Sequence, residues 1–470
     1  MTAPEPLPLH GTEYKTDPYP LYRRLREEGP VHRVNFPSGV NAWLVTGYEA
    51  AHRALNDDRL GKNHDLGNSA WRERAAIMPE PQHSQLQVHL LHQDPPKHTV
   101  MRRMVAEAFL PRHVERLRGR FEEIAAELLD AAVGSAGTAE AGDDDVTEAG
   151  DSTEAGDVTE VGDSTGLGDS TGVGDAAAGV IDVVGAFAAH FPFRVLSEVI
   201  GLPPELAARF DRDWGKVVQP VGPTDPQRPV YEGRLRGLQN YITEVVEDKR
   251  RNPGADLLSK LVRACANGEI TKEEQDSIVF QLLVAGQEPV TNQITTAVIA
   301  LLRHPEQLRR LQRAVGGGPG ADPDLLPRAV EELLRYDSAF ELTTWRFFAE
   351  DADLLGTRIP AGDSVIVSLC AANRDPEGFP DADTLDLDRS PNPHLAFGHG
   401  VHFCPGAALA RIELQIALRA LLTRLPRVRL AVPDDQLVWV GAVLARGVNQ
   451  LPVAYGPTGP AARTGCPVRH

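Results

Sequence analysis

The sequence predicts a mainly α protein with a minor β region. Apolar residues recur at three- and four-residue spacing over long stretches, the period of a helix with one buried face. Strand-like runs are few and short, and they sit near the two ends. A glycine-framed cysteine stands immediately before a late helical pattern.

Helical periodicity covers Val114 to Val133, Leu235 to Arg251, Lys272 to Arg303, Glu306 to Val315 and Leu326 to Tyr336. The strand-like runs are Ala42 to Thr46, Ser364 to Ser368 and Val438 to Val440. A loop rich in Pro, Asp and Asn, Asn373 to Pro393, leads into the cysteine segment, and a helix from Ala407 to Leu425 closes it. The 470 residues are read as one domain with an insertion over 134–179 and a frayed tail over 457–470.

The insertion is a degenerate six-residue repeat: Thr147-Glu-Ala-Gly-Asp-Ser, Thr153-Glu-Ala-Gly-Asp-Val, Thr159-Glu-Val-Gly-Asp-Ser and Thr165-Gly-Leu-Gly-Asp-Ser. Glycines and like charges every few residues bury too little surface to offset ordering entropy, which predicts disorder. Calcium binding in a glycine- and aspartate-rich solenoid is the alternative, but its nonapeptide pattern is absent. The segment holds twelve acids and no Lys or Arg, so of the formal charge of −18 only −6 belongs to the rest. A negative total disfavours nucleic acid as a partner.

No run approaches the roughly 20 apolar residues of a membrane span, and no signal peptide is readable at the N-terminus. The four cysteines, Cys265, Cys370, Cys404 and Cys466, are scattered, which argues against a disulfide framework or a structural zinc site. A cytoplasmic, reducing setting follows as the expectation.

The chemistry concentrates in Phe397-Gly-His-Gly-Val-His-Phe-Cys404-Pro-Gly-Ala. Glycines let a backbone pass close to a flat ligand. A cysteine ahead of a helix meets unpaired N–H groups and the positive dipole end, which favour a thiolate. At every fixed position, Phe397-Gly398-x-Gly400-x-His402-x-Cys404-x-Gly406 resembles the haem-binding signature of the cytochrome P450 family. The resemblance implies a helical prism with haem b, iron protoporphyrin IX, held between the long central helix and the helix after the cysteine loop. It implies Cys404 as the axial thiolate, Phe397 beside the sulfur, His402 on a haem propionate, and Gly406 as a fixed position of the loop.

Further stretches fall in the same register. Glu332 and Arg335 lie three apart on a helix and match the family's Glu-x-x-Arg motif, with Arg389 as the implied third member of a structural ion network. His98 and Arg102, four apart, present two cationic donors suited to carboxylates, and Arg346 matches another propionate position. No flavin domain is read in the chain, so the resemblance implies separate electron carriers, a ferredoxin and a ferredoxin reductase. The ferredoxin would dock over a basic group of Arg102, Arg103, Arg112 and Arg411. The protein is expected to be a monomer.

Two departures stand out. In Gly286-Gln-Glu288-Pro289-Val-Thr291 the family's proton-relaying acid is present as Glu288, but Pro289 occupies the alcohol position. Thr291 is roughly 200° around the helix and cannot substitute. Proline also strips the Ala285 carbonyl of its partner and favours a kink. Protons could then come through Glu288 and water, or from a substrate hydroxyl. The second departure is Pro405, which has no N–H to offer the sulfur before it.

Three functions compete: monooxygenation of a small-molecule or peptide-derived natural product, oxidative aromatic cross-linking or dehydrogenation without oxygen insertion, and non-catalytic haem sensing. Substrate contacts are expected from Val284 and Ala285, from Phe340, Glu341, Thr343 and Thr344, and from Ala442, Val443 and Leu444, with Glu341 and the two threonines as polar anchors.

Overall fold

The computed structural model describes residues 7–9, 11–36, 39–74, 86, 88–138, 179–211, 213, 214, 217, 226–317 and 321–456. Among these, helices form the body and three small sheets lie beside it. The largest sheet has six strands in the order Leu7–Pro8, Val31–Asn35, Asn41–Val45, Ser364–Val367, Arg346–Phe348, Leu60–Gly61. Its centre pairs Asn41–Val45 in parallel with Ser364–Val367, Trp43 opposite Val365. Every residue of Ser364–Val367 is buried, as a strand covered on both faces requires.

The helix Glu288–Arg303 runs through the core, with Ile294, Ala297, Ile299 and Leu301 all essentially without solvent contact. Its residues are buried all round its girth, the polar Asn292, Gln293, Thr295 and Thr296 included, which makes it a core helix rather than a surface one. It packs on Ala407–Arg424, the helix that follows the cysteine loop, and on Leu325–Tyr336. Ahead of it, Lys272–Ala285 begins in a capping box: the Thr271 hydroxyl accepts the Glu274 N–H, and Glu274 accepts the Thr271 N–H.

Several element boundaries differ from expectation. The stretch Lys272 to Arg303 is two helices, Lys272–Ala285 and Glu288–Arg303, broken at Gly286 and Gln287 with Pro289 in the first turn of the second. The expected kink is thus a full break, because proline is well tolerated in a first turn and not inside a helix. Val114 to Val133 divides into Pro111–Arg116 and Arg118–Thr138, and the second helix runs on through Gly134 to Thr138. The expected strand Val438 to Val440 is reduced to a single bridge between Trp439 and Val448. Residues 139–178 of the acidic insertion and the tail 457–470 lie outside the described residues. Among the described residues no helix is long and apolar enough to cross a membrane.

Candidate active site

A cavity of about 290 Å³ opens between the two helix halves and the cysteine loop. Its wall includes Ala285, Pro289 and Gln293 on one side, Phe340, Thr343 and Thr344 on a second, and Phe397, His402, Cys404 and Gly406 on the floor.

The floor is built by backbone geometry. Gly398 and Gly400 both adopt positive φ, at 71° and 72°. A Cβ on Gly400 would sit 2.8 Å from the Leu55 carbonyl, so only glycine lets the loop pass there. The Cys404 N–H donates to the Phe397 carbonyl at 3.0 Å, closing the loop back on itself. Burial raises the Cys404 thiol above its ordinary range, while the Gly406 N–H, Arg102 and Arg411 pull it down. The donors that would hold a thiolate are therefore in place around the sulfur.

The loop is braced from below by Glu332 and Arg335, both fully buried. Arg335 grips Glu332 through two bonds of 2.7 and 2.8 Å and donates to the carbonyls of Asn373, Ala382 and Thr384. Arg389, Asn392 and the Asp386 N–H complete the coordination of Glu332. A buried carboxylate and guanidinium need such full satisfaction, and here it fixes the chain from Asn373 to Asn392. The neighbouring Glu331 takes Arg411 at 2.7 Å and His394 at 3.1 Å. Arg411 in turn lies 4.6 Å over the Phe397 ring.

At one edge of the floor the basic side chains converge. His98 is buried and its ring lies 4.3 Å from that of His402. His98 Nε2, Arg102 Nη1, Arg346 Nε and both ring nitrogens of His402 are buried with no hydrogen-bond partner. Burial, then Lys62, His98, Arg346 and Arg102, push His402 down to about 2. Buried, unpartnered and adjacent donors, the Arg102 and Arg346 guanidiniums beside two imidazoles, fit a pair of carboxylates such as those a haem carries.

Lys62 was not expected here. It is buried, donates to Thr344 Oγ1 and, at 3.0 Å, to the Trp345 carbonyl, and lines the cavity. Burial and the adjacent Arg346 hold its ammonium well below the ordinary lysine range. Nothing in the Gly-Lys-Asn turn announces this, since the partners lie 282 and 283 positions away. Gln281 was also missed, although it lies one turn before Ala285 on the same helix. Its Oε1 is buried and unpartnered at the cavity wall.

The substrate contacts need correction. Glu341 is no polar anchor: it points away from the cavity, where Tyr14, Tyr22 and Lys15 (at 2.9 Å) donate to it. Its neighbours Phe340 and Leu342 face the cavity because alternate residues of an extended chain face opposite sides. Val284 belongs to the core, and Val443 and Leu444 pack on the cluster around Trp345; neither these three nor Ala442 line the cavity. Thr343 and Thr344 do line it, but Thr343 Oγ1 accepts the Val367 N–H and Thr344 is taken by Lys62. Glu288 is half-buried beside Pro289 and is not among the lining residues.

The family model described as Cytochrome P450 matches residues 231–430. Cytochrome P450 monooxygenase PikC of Streptomyces venezuelae is 38% identical over 447 residues, spanning 95% of this chain and 92% of that protein. The 6-deoxyerythronolide B hydroxylase of Saccharopolyspora erythraea is 37% identical over 451 residues, spanning 95% and 98%. Among solved structures, a myxobacterial cytochrome P450 in complex with myristic acid superposes with a TM-score of 0.80 at 33% identity, covering 96% of this chain and 99% of that one. The glycine-turned cysteine loop, its braced support and the cradle of unpartnered basic donors agree with these similarities, and the chain belongs to the cytochrome P450 family of haem-binding monooxygenases.

Proposed function

We propose that the protein hydroxylates a small natural product, with Cys404 as the thiolate ligand of haem b and with electrons from a ferredoxin and its reductase. The observation that carries the assignment of residues is the cluster of buried, unpartnered donors on His98, Arg102, Arg346 and His402 beside Cys404. Haem bound through a cysteine thiolate supplies the activation of dioxygen in this family. The chain's own residues bind, orient and protonate around it. Arg102, Arg346, His98 and His402 would hold the propionates. The Gly406 N–H holds the sulfur, and Glu332 with Arg335 holds the loop. Phe340, Ala285 and Leu342 offer the substrate an apolar wall, which excludes water from the reacting atoms.

Relatives support the substrate class in words only: one is named for hydroxylating 6-deoxyerythronolide B, another for mycinamicin IV. Cys404→Ser should remove the thiolate-type carbon monoxide difference spectrum, and Cys466→Ala should leave it intact. The reverse result would displace Cys404 from its role. Pro289 on the cavity wall favours weighing the coupling reading beside it. Product mass separates the two, since hydroxylation adds one oxygen and coupling or dehydrogenation removes hydrogen alone.

A further inference from the structure

Three imidazoles meet beside the cavity and take no part in the cradle described above. The rings of His64 and His92 lie 3.8 Å apart, centre to centre, and those of His89 and His92 4.4 Å apart. Other rings close the group: Trp71 at 5.0 Å and Phe347 at 6.3 Å from His64, and Phe280 at 6.1 Å from His89. His89 and His92 are 4% and 7% exposed, and His64 Nε2, His89 Nδ1 and His92 Nδ1 are buried with no hydrogen-bond partner. Two of the three bracket the single-turn helix Leu90–His92, whose turn the His92 N–H closes on the His89 carbonyl at 3.0 Å. Leu90 and Leu91, inside that bracket, line the cavity.

The surroundings oppose a charge on any of these rings. Burial and then Lys62 push His64 down to about 3, and burial, then His64 and Lys62, push His89 down to about 3. His92 is held well below the ordinary imidazole range by burial, then by His64, His89, Lys62 and His402. The strand Arg346–Phe348 adds Arg346, and the helix Lys97–Ala106, packed on the turn, adds His98 and Arg102. The acids on the packed elements are engaged or exposed. Asp94 accepts the N–H groups of Lys62 and Asn63, Glu274 takes Lys97 at 2.8 Å, and Asp276 takes Lys272 and Gln275. Asp65, Glu73 and Glu273 are exposed. The two propionates of a bound haem are matched in number by the guanidiniums of Arg102 and Arg346.

We propose that His64, His89 and His92 are an acid-sensitive latch on the cavity wall: uncharged, the three rings pack and hold the turn Leu90–His92 closed, and protonation drives it open. An imidazolium among its own kind and beside Lys62 meets like charge and lacks the water that it regains only by leaving. A ring freed into water takes a proton near pH 6.5, and a packed one only near 3. The closed turn is therefore fully favoured above about 6.5 and loses ground as pH falls below it. From pH about 7.5 to about 5.5, each freed imidazole shifts the balance toward the open turn about tenfold, and His89 with His92 about a hundredfold. The latch acts on access to the cavity and does not depend on the reaction carried out within.

Amide exchange resolved by residue on the full-length holoenzyme is the test, read as protection factors, which divide out the chemical pH dependence of exchange. The His92 amide should lose about a hundredfold in protection between pH about 7.5 and about 5.5. The Ile299 amide, in the core helix, should keep its own. In His89→Phe with His92→Phe, which keeps two flat rings and removes two proton sites, the loss at residue 92 should shrink to within about twofold. Should that double variant yield no folded protein, His89→Phe alone decides, with an expected loss of about tenfold. Carbon monoxide recombination after flash photolysis of the reduced holoenzyme reads the cavity side, and it should quicken as protection falls in the parent. Protection at residue 92 indifferent to pH, an equal loss at Ile299, or an undiminished loss in the variants would each overturn the latch. Lost protection with unchanged recombination would do the same.

Discussion

Pro405 stands between the cysteine and the one backbone donor that reaches it. The Gly406 N–H bonds the Cys404 sulfur, and Pro405 has no N–H to add. Hydrogen bonds to a ligating sulfur draw electron density from the metal and raise its potential. Pro405→Leu restores a donor at little change in bulk. Its substrate-free reduction potential should rise by about 40 mV, which is what about 1 kcal/mol amounts to in a one-electron couple. A potentiometric titration at fixed pH that finds no rise would leave Pro405 only the task of stiffening the turn before the helix. The cysteine loop and the Glu332–Arg335 pair were legible because each is a local pattern of fixed spacing. Lys62 and Glu341 were not. The partners that define them, Trp345 for one and Tyr14, Lys15 and Tyr22 for the other, are hundreds of positions away in the chain.

Among the elements, periodicity placed every long helix, and local backbone chemistry decided where it stopped. Apolar spacing runs unbroken from Lys272 to Arg303, so pattern alone could not show the break that Gly286 and Pro289 impose. Val438 to Val440 is alternating and β-branched, yet only Trp439 finds a bridge partner, because pairing depends on the neighbour rather than on the run. The helix Arg118–Thr138 persists into the glycine-rich edge of the insertion. Replacing 139–178 by an eight-residue Gly-Ser linker should therefore leave haem content and turnover nearly unchanged. For a chain without packed structure, shortening about fivefold relieves roughly 1–2 kcal/mol of closure entropy, so the melting temperature should rise by no more than a few degrees. Loss of holoprotein in that variant would mean that the repeat packs on the body. Calcium-dependent melting of the intact chain would revive the solenoid reading.

Over the whole molecule, charge is arranged against its own total. The chain carries −18, yet four arginines, Arg102, Arg103, Arg112 and Arg411, are the ones expected to receive an electron donor. Of the four, the structure withdraws two. Arg411 is held by Glu331 through two bonds of 2.7 and 2.9 Å, and Arg102 is half-buried against the cysteine side of the cavity with Nη1 enclosed. Arg103 and Arg112 remain exposed, as do Val401 and Phe403 of the cysteine loop. Exposed cations suit a small acidic protein, since they speed encounter, and exposed apolar side chains supply contact area. If so, the rate of reduction by an acidic ferredoxin should fall steadily as salt is raised, since screening shortens the reach of surface charge from about 10 Å at 0.1 M to about 3 Å at 1 M. Reversing both charges, Arg103→Glu with Arg112→Glu, should slow reduction about tenfold or more at low salt and converge on the parent at 1 M. Arg411→Gln, already neutralised by its partner, should change the salt slope far less. Stopped-flow reduction across that salt range measures all three, and a rate indifferent to salt or to the double reversal would remove steering from the account.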